Sequence, residues 1–151
     1  MDAPRLNTDF DVAVVGGGPN GATTAALLAR HGGFAPARIA LLAPELATGD
    51  PGSAALSAAA LPELRVAAIS RASEQLLRNA GAWEHLPQRR LCAYERMRIW
   101  HESAPVDGPG TLVFSAAELA EANLGYIVEN RALAAAALAS FREQGGRVIA
   151  A

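Results

Sequence analysis

Gly16, Gly18 and Gly21, within VAVVGGGPNGATTAALLAR (12–30), follow the spacing G-x-G-x-x-G. Between a strand and a helix this spacing has a chemical use. The first glycine permits a tight turn out of the strand. The second lets the backbone approach a pyrophosphate with no Cβ in the way, and the third allows close helix–strand contact. The phosphates then meet backbone N–H groups and the positive end of the helix dipole. Glycines also gather in turns for steric reasons alone, so the flanks decide. FDVAVV precedes the loop and an alanine-rich run follows it. Both flanks are satisfied, and the loop reads as a dinucleotide site.

A ribose-binding carboxylate is expected about 20 positions further on, at the tip of the second strand. Ala43 stands there, followed by Pro44 and Glu45. Glu45 either reaches back to the ribose or is a solvated loop carboxylate. No basic residue closely follows the strand, so nothing favours a 2′-phosphate. Elsewhere the chemistry is sparse. His31, His85 and His101 are isolated and read as structural or exposed. Cys92 reads as a packed or idle thiol, and Trp83 and Trp100 as packing residues. No metal site and no protein nucleophile emerges.

The elements that must position the loop follow from apolar patterning. Phe10–Val15 and RIALLA (38–43) read as buried parallel strands. Pro19–His31 reads as a helix, with Pro19 in its first turn and Gly32-Gly33 as a left-handed exit. Strand, helix and strand form a βαβ unit. Residues 44–62, rich in Pro, Gly, Ala and Ser, read as a long loop. Ser70 caps a helix over SRASEQLLRNAG, with Leu76 and Leu77 on one face and Gly81 as its stop. Two strands follow, Tyr94–His101, alternating and half exposed, and Thr111–Ser115. Asn130–Gln144 is a further helix with a Gly145-Gly146 exit, and RVIAA starts another strand.

The chain has 151 residues, 51% apolar and 19% charged, with a net charge of −2. One domain with a real core is expected. Scattered basic residues argue against a nucleic-acid surface. No apolar run is long enough for a membrane helix, and the first ten residues lack a secretory signal. With one cysteine, a reducing, cytoplasmic setting is the expectation.

Three further stretches occur in order behind GGGPNG: LRVAAISRASEQLLRNAGAW (64–83), YERMRIWHE (94–102) and LGYIVENRAL (124–133). Together they make residues 10–151 resemble the N-terminal part of the ubiquinone-biosynthesis hydroxylases, FAD-dependent aromatic-ring monooxygenases of the p-hydroxybenzoate hydroxylase type. The resemblance implies an α/β, Rossmann-like FAD-binding domain over 1–151. Its sheet would be mainly parallel with an added antiparallel strand pair, and it would be incomplete, because later FAD motifs and a substrate domain are not found. It implies FAD as cofactor, NAD(P)H as electron donor and a small or lipid-tailed phenol as substrate. Peripheral contact with a membrane or a biosynthetic complex would come through that substrate. Position by position, Gly16, Gly18 and Gly21, with Pro19 and Asn20 between them, would line the FAD pyrophosphate. Arg65 would lie near the flavin, against the alternative of a loop-anchoring guanidinium. Arg131 would approach the FAD or be exposed on the first helical turn, and Asn130 would chiefly be a helix N-cap. Ala43 departs from the family's usual glutamate. Two alternatives stay open: an NAD-dependent dehydrogenase and a non-catalytic dinucleotide-binding fragment.

Overall fold

The computed structural model describes residues 8–44, 56–57 and 61–150. The chain begins with β1 (Val12–Val15), α1 (Pro19–His31) and β2 (Ile39–Leu42), and β1 and β2 pair in parallel. β8 (Arg147–Ile149) adds to β2, also in parallel, giving the order β1-β2-β8. The βαβ start expected from the sequence is present. The apolar run of β1 is covered on one face only: Ala13 and Val15 are exposed, Val15 at 78%.

The rest of the sheet structure is antiparallel. β3 (Val66–Ser70) and β4 (Cys92–Tyr94) flank β7 (Gly125–Glu129). β5 (Arg96–Ile99) and β6 (Leu112–Ser115) form a separate ribbon. Five of the eight strands are therefore antiparallel, more than the single added pair expected. β3 escapes a local reading because its partner lies some sixty residues onward. Tyr94–His101 is divided: Cys92–Tyr94 joins one sheet and Arg96–Ile99 another. The whole of β5 is exposed instead of alternating. In the ribbon the cross-strand pairs Met97–Phe114 and Ile99–Leu112 share a face, and each of the four is at least 40% exposed.

α2 (Arg71–Asn79) opens on Ser70, whose Oγ accepts from the Ser73 N–H at 3.2 Å. Ser70 is thus the expected N-cap, and Gly81 leaves the helix with φ +73°. Leu77 is buried, whereas Leu76 points outward at 52% exposure, so the two leucines do not share a face. Glu74 is buried between Arg71 and Arg78, one turn away on either side.

α3 (Asn130–Glu143) packs against α1 through small residues. Ala22, Ala25 and Ala26 on α1, with Ala132, Ala136 and Ala137 on α3, are wholly buried. Spacing of three and four residues places each set on one face. Beneath them lie Ile39, Leu41, Val128 and Phe141, all at most 1% exposed.

Candidate functional site

The glycine loop leaves the C-terminal end of β1. Gly16 has φ +103°, a left-handed turn that a side chain would strain, and its N–H still donates to the Leu42 carbonyl at 2.8 Å. Gly18 is exposed, and among the described residues a Cβ built on it would meet nothing within 4 Å. Gly21 is the opposite case, since a Cβ there would strike the Gly16 carbonyl oxygen. The three glycines therefore divide the work as the spacing predicts: a turn, an open approach and a close contact.

Gly18 is the N-cap of α1, Pro19 follows it, no side chain caps the helix and no acid sits in its first turn. The other two helices differ. Ser70 serves α2, and the Glu63 carboxylate accepts from the Arg131 N–H of α3 at 3.1 Å. Among the described residues, α1 is the helix whose positive end meets no protein acceptor side chain. Glycines that leave open space before that end fit a bound diphosphate.

Arg65 and Arg131, expected near the ligand, are brought to one end of the antiparallel sheet. Val66 pairs with Glu129, and the Asn130 N–H donates to the Arg65 carbonyl at 3.0 Å. Both arginines are exposed. Asn130 is not the N-cap: Glu129 holds that position and Asn130 is the first helical residue, half-buried. The reason is competition, because Glu63 supplies the capping oxygen from outside the helix.

The first turns of α1 and α3 border a common groove of about 320 Å³, lined by Pro19, Asn20, Thr23 and Leu133 with Ile69 and Leu77. This places Pro19 and Asn20 at the same end of the fold as the start of α3. At the tip of β2, Ala43 is wholly buried and its N–H donates to the Ile149 carbonyl at 2.9 Å. Glu45 lies outside the described residues.

Three residues that the sequence did not single out hold this end together. Glu129, 8% exposed, takes the Arg90 guanidinium on Oε1 at 2.6 Å and the Glu63 N–H on Oε2 at 3.2 Å. A lone acid closing the apolar run GYIV was the available signal.

Each of the isolated histidines has a polar partner. His31 meets the Asn79 carbonyl at 3.0 Å, His85 lies 3.3 Å from the Glu143 carboxylate, and His101 bonds Ser103 at 2.7 Å. Cys92 is exposed and not packed. Trp83 is buried edge-on to Tyr126, whereas Trp100 is 45% exposed and does not pack as expected. Among the described residues no His, Cys, Asp and Glu cluster could hold a metal, and no helix is long and apolar enough to cross a membrane.

The chain is 38% identical over 128 residues to the 3-demethoxyubiquinol 3-hydroxylase of Escherichia coli, which covers 84% of this chain and 29% of that protein. It is 32% identical over 124 residues to the ubiquinone biosynthesis monooxygenase COQ6 of mouse and of human, in each case covering 82% of this chain and 24% of the relative. The chain thus spans less than a third of the length of these relatives. A geranylgeranyl bacteriochlorophyll reductase-like protein of Thermoplasma acidophilum matches 92% of this chain and 29% of its own, with TM-score 0.54 and 20% identity. That likeness shows a shared α/β fold. No protein-family model matches the chain.

Proposed function

We propose, on the premise that this chain is a relative of the ubiquinone-biosynthesis hydroxylases over more than four-fifths of its length, that it forms the N-terminal portion of a Rossmann-like FAD-binding domain. The monooxygenase it serves hydroxylates an electron-rich, lipid-tailed phenol. The observation that carries this reading is the N-terminus of α1 behind Gly18, where no side chain among the described residues caps the helix and none of their atoms stands within 4 Å of the missing Cβ.

Gly16 turns the chain, Gly18 leaves room for the diphosphate, and Pro19 and Asn20 border it. Arg65 and Arg131 supply positive charge from the start of β3 and of α3, where the chain holds them together through Asn130. Bound FAD would supply the redox chemistry, with electrons from NAD(P)H and one oxygen atom from O2 passing to the ring. The residues of this chain bind and orient; none is required as nucleophile. The ribose is held without a carboxylate at Ala43, by Glu45 or by the backbone. The antiparallel sheet formed by β3, β7 and β4 weighs against a dehydrogenase of regular strand–helix alternation.

Titration of the chain with FAD, followed by flavin fluorescence and visible absorption, tests this. Saturable binding with a shifted band is expected, and Gly18→Val should abolish it by filling the open approach. Equal affinity in Gly18→Val would remove the glycine loop from the site.

A further inference from the structure

The strongest unassigned feature is an ion pair in the wall of a cleft of about 400 Å³, where β3, β4 and β7 meet Pro62, Glu63, Arg89 and Arg90. Arg90 and Glu129 lie 2.6 Å apart with side chains only 6% and 11% exposed. Removing two such charges from water is costly, so a pair held this far from solvent adds little net stability, whereas breaking it by removing one partner is costly. Each partner is also tied to a different segment. The Arg90 guanidinium donates to the Ser57 carbonyl at 3.3 Å, beside Arg89, which donates to the Leu56 carbonyl at 3.1 Å. Glu129 accepts from the N–H of Glu63, and Glu63 in turn accepts from the N–H of Arg131. Two residues beyond Glu63, the Arg65 carbonyl receives the Asn130 N–H.

The order of these contacts has a consequence. Beside the ladder of β3 and β7, one buried carboxylate holds the chain where it enters β3, next to Arg65 and the first turn of α3. Neither exposed guanidinium has its backbone placed by local structure alone, because Arg65 precedes its strand and Arg131 sits at a helix end capped from sixty-eight residues away in sequence.

We infer that Arg90 and Glu129 are positioning residues: their buried pair sets the chain before β3 so that the exposed guanidiniums of Arg65 and Arg131 face one anionic ligand together. Neither Arg90 nor Glu129 touches that ligand; both act through Glu63 and the backbone. The ligand class, the diphosphate of a dinucleotide, rests on the FAD reading above.

The test uses the whole 151-residue chain, with FAD as the probe and amide hydrogen exchange of the unliganded protein as a second readout. Glu129→Gln and Arg90→Met should each weaken FAD binding roughly tenfold, the loss of about one charge-assisted hydrogen bond. In both, the Asn130 and Arg131 amides should exchange roughly tenfold faster, on the same scale, while the Ala22 amide of α1 keeps its rate. Arg90→Lys, which retains the charge, should restore most of the affinity. Ser140→Ala, which removes a buried hydrogen bond elsewhere, serves as the stability control and should change neither readout. Wild-type affinity in Glu129→Gln, or an Arg90→Lys variant no better than Arg90→Met, would overturn the proposal. If the wild-type chain takes up no FAD, the cofactor reading fails and the exchange rates decide: faster exchange confined to Asn130 and Arg131 supports the positioning role, and unchanged or globally raised exchange overturns it.

Discussion

Gly21 faces the carbonyl oxygen of Gly16 across the turn between β1 and α1, with no room for a Cβ between them. The contact seats the first turn of the helix on the end of the strand. Gly21→Ala must therefore displace backbone, at a cost of about 2 kcal/mol, read as a lower midpoint in urea denaturation. Gly18→Ala separates folding from binding, because its methyl group enters open space. It should cost at most about 1 kcal/mol, chiefly as a poorer N-cap, yet weaken FAD binding measurably. Equal stability losses in the two variants would contradict this division.

Glu74 is 5% exposed and bonds Arg78 at 2.8 Å and, from the other side, Arg71. Glu74→Ala removes the carboxylate shared by the two guanidiniums, but both are more than 40% exposed, keep Glu121 and Glu84 within 4 Å and can turn to water. The expected loss is about 1–2 kcal/mol, below that of a fully buried pair. Thermal denaturation at low and high salt checks it, and the loss should shrink as salt rises.

Asp11 receives the Arg38 guanidinium on both carboxylate oxygens at 2.7 Å. This hydrogen bonding, helped by the charge of Arg38, holds the Asp11 carboxyl below its ordinary range and raises Arg38. A carboxyl lowered in the folded state adds stability above its unfolded pKa, and loses it as pH falls through the folded one. Wild type and Asp11→Asn should thus differ in melting temperature at neutral pH and converge in acid below the ordinary carboxylate range. A difference that grows on acidification would reverse the sign and refute the assignment.

Ala25 and Ala136 lie wholly buried where α1 meets α3. Ala25→Leu forces extra volume into this seam and should cost about 1–3 kcal/mol, measured by chemical denaturation. Because it shifts the helix carrying the glycine loop, FAD affinity should fall as well.

What the sequence made legible was local. β1, α1 and β2 follow one another within about thirty residues, and their apolar runs, Pro19 and the glycines mark each boundary. Ser70 and Gly81 likewise bracket α2 because capping is a matter of neighbouring residues. The losses lie where a distant partner decides. VAAIS becomes a strand only through β7, and TyrIleVal of LGYIVEN is its partner. Leu76 and Leu77 look alike in sequence, yet the packing of α2 buries one and exposes the other. Asn130 has the chemistry of an N-cap but yields to Glu63, sixty-seven positions earlier. The site shows the same split: the glycine spacing is readable at sight, whereas Arg90 and Glu129, thirty-nine residues apart, become a pair only in the folded chain.

The alanine seam between α1 and α3 has a further consequence. Side chains of a single methyl bring two backbones together with almost no rotamer freedom left at the contact. The helices are therefore coupled like two rails at fixed gauge, and the spacing between their leading ends is settled during folding. A molecule spanning those ends finds the gap already set, so little ordering remains to oppose its capture.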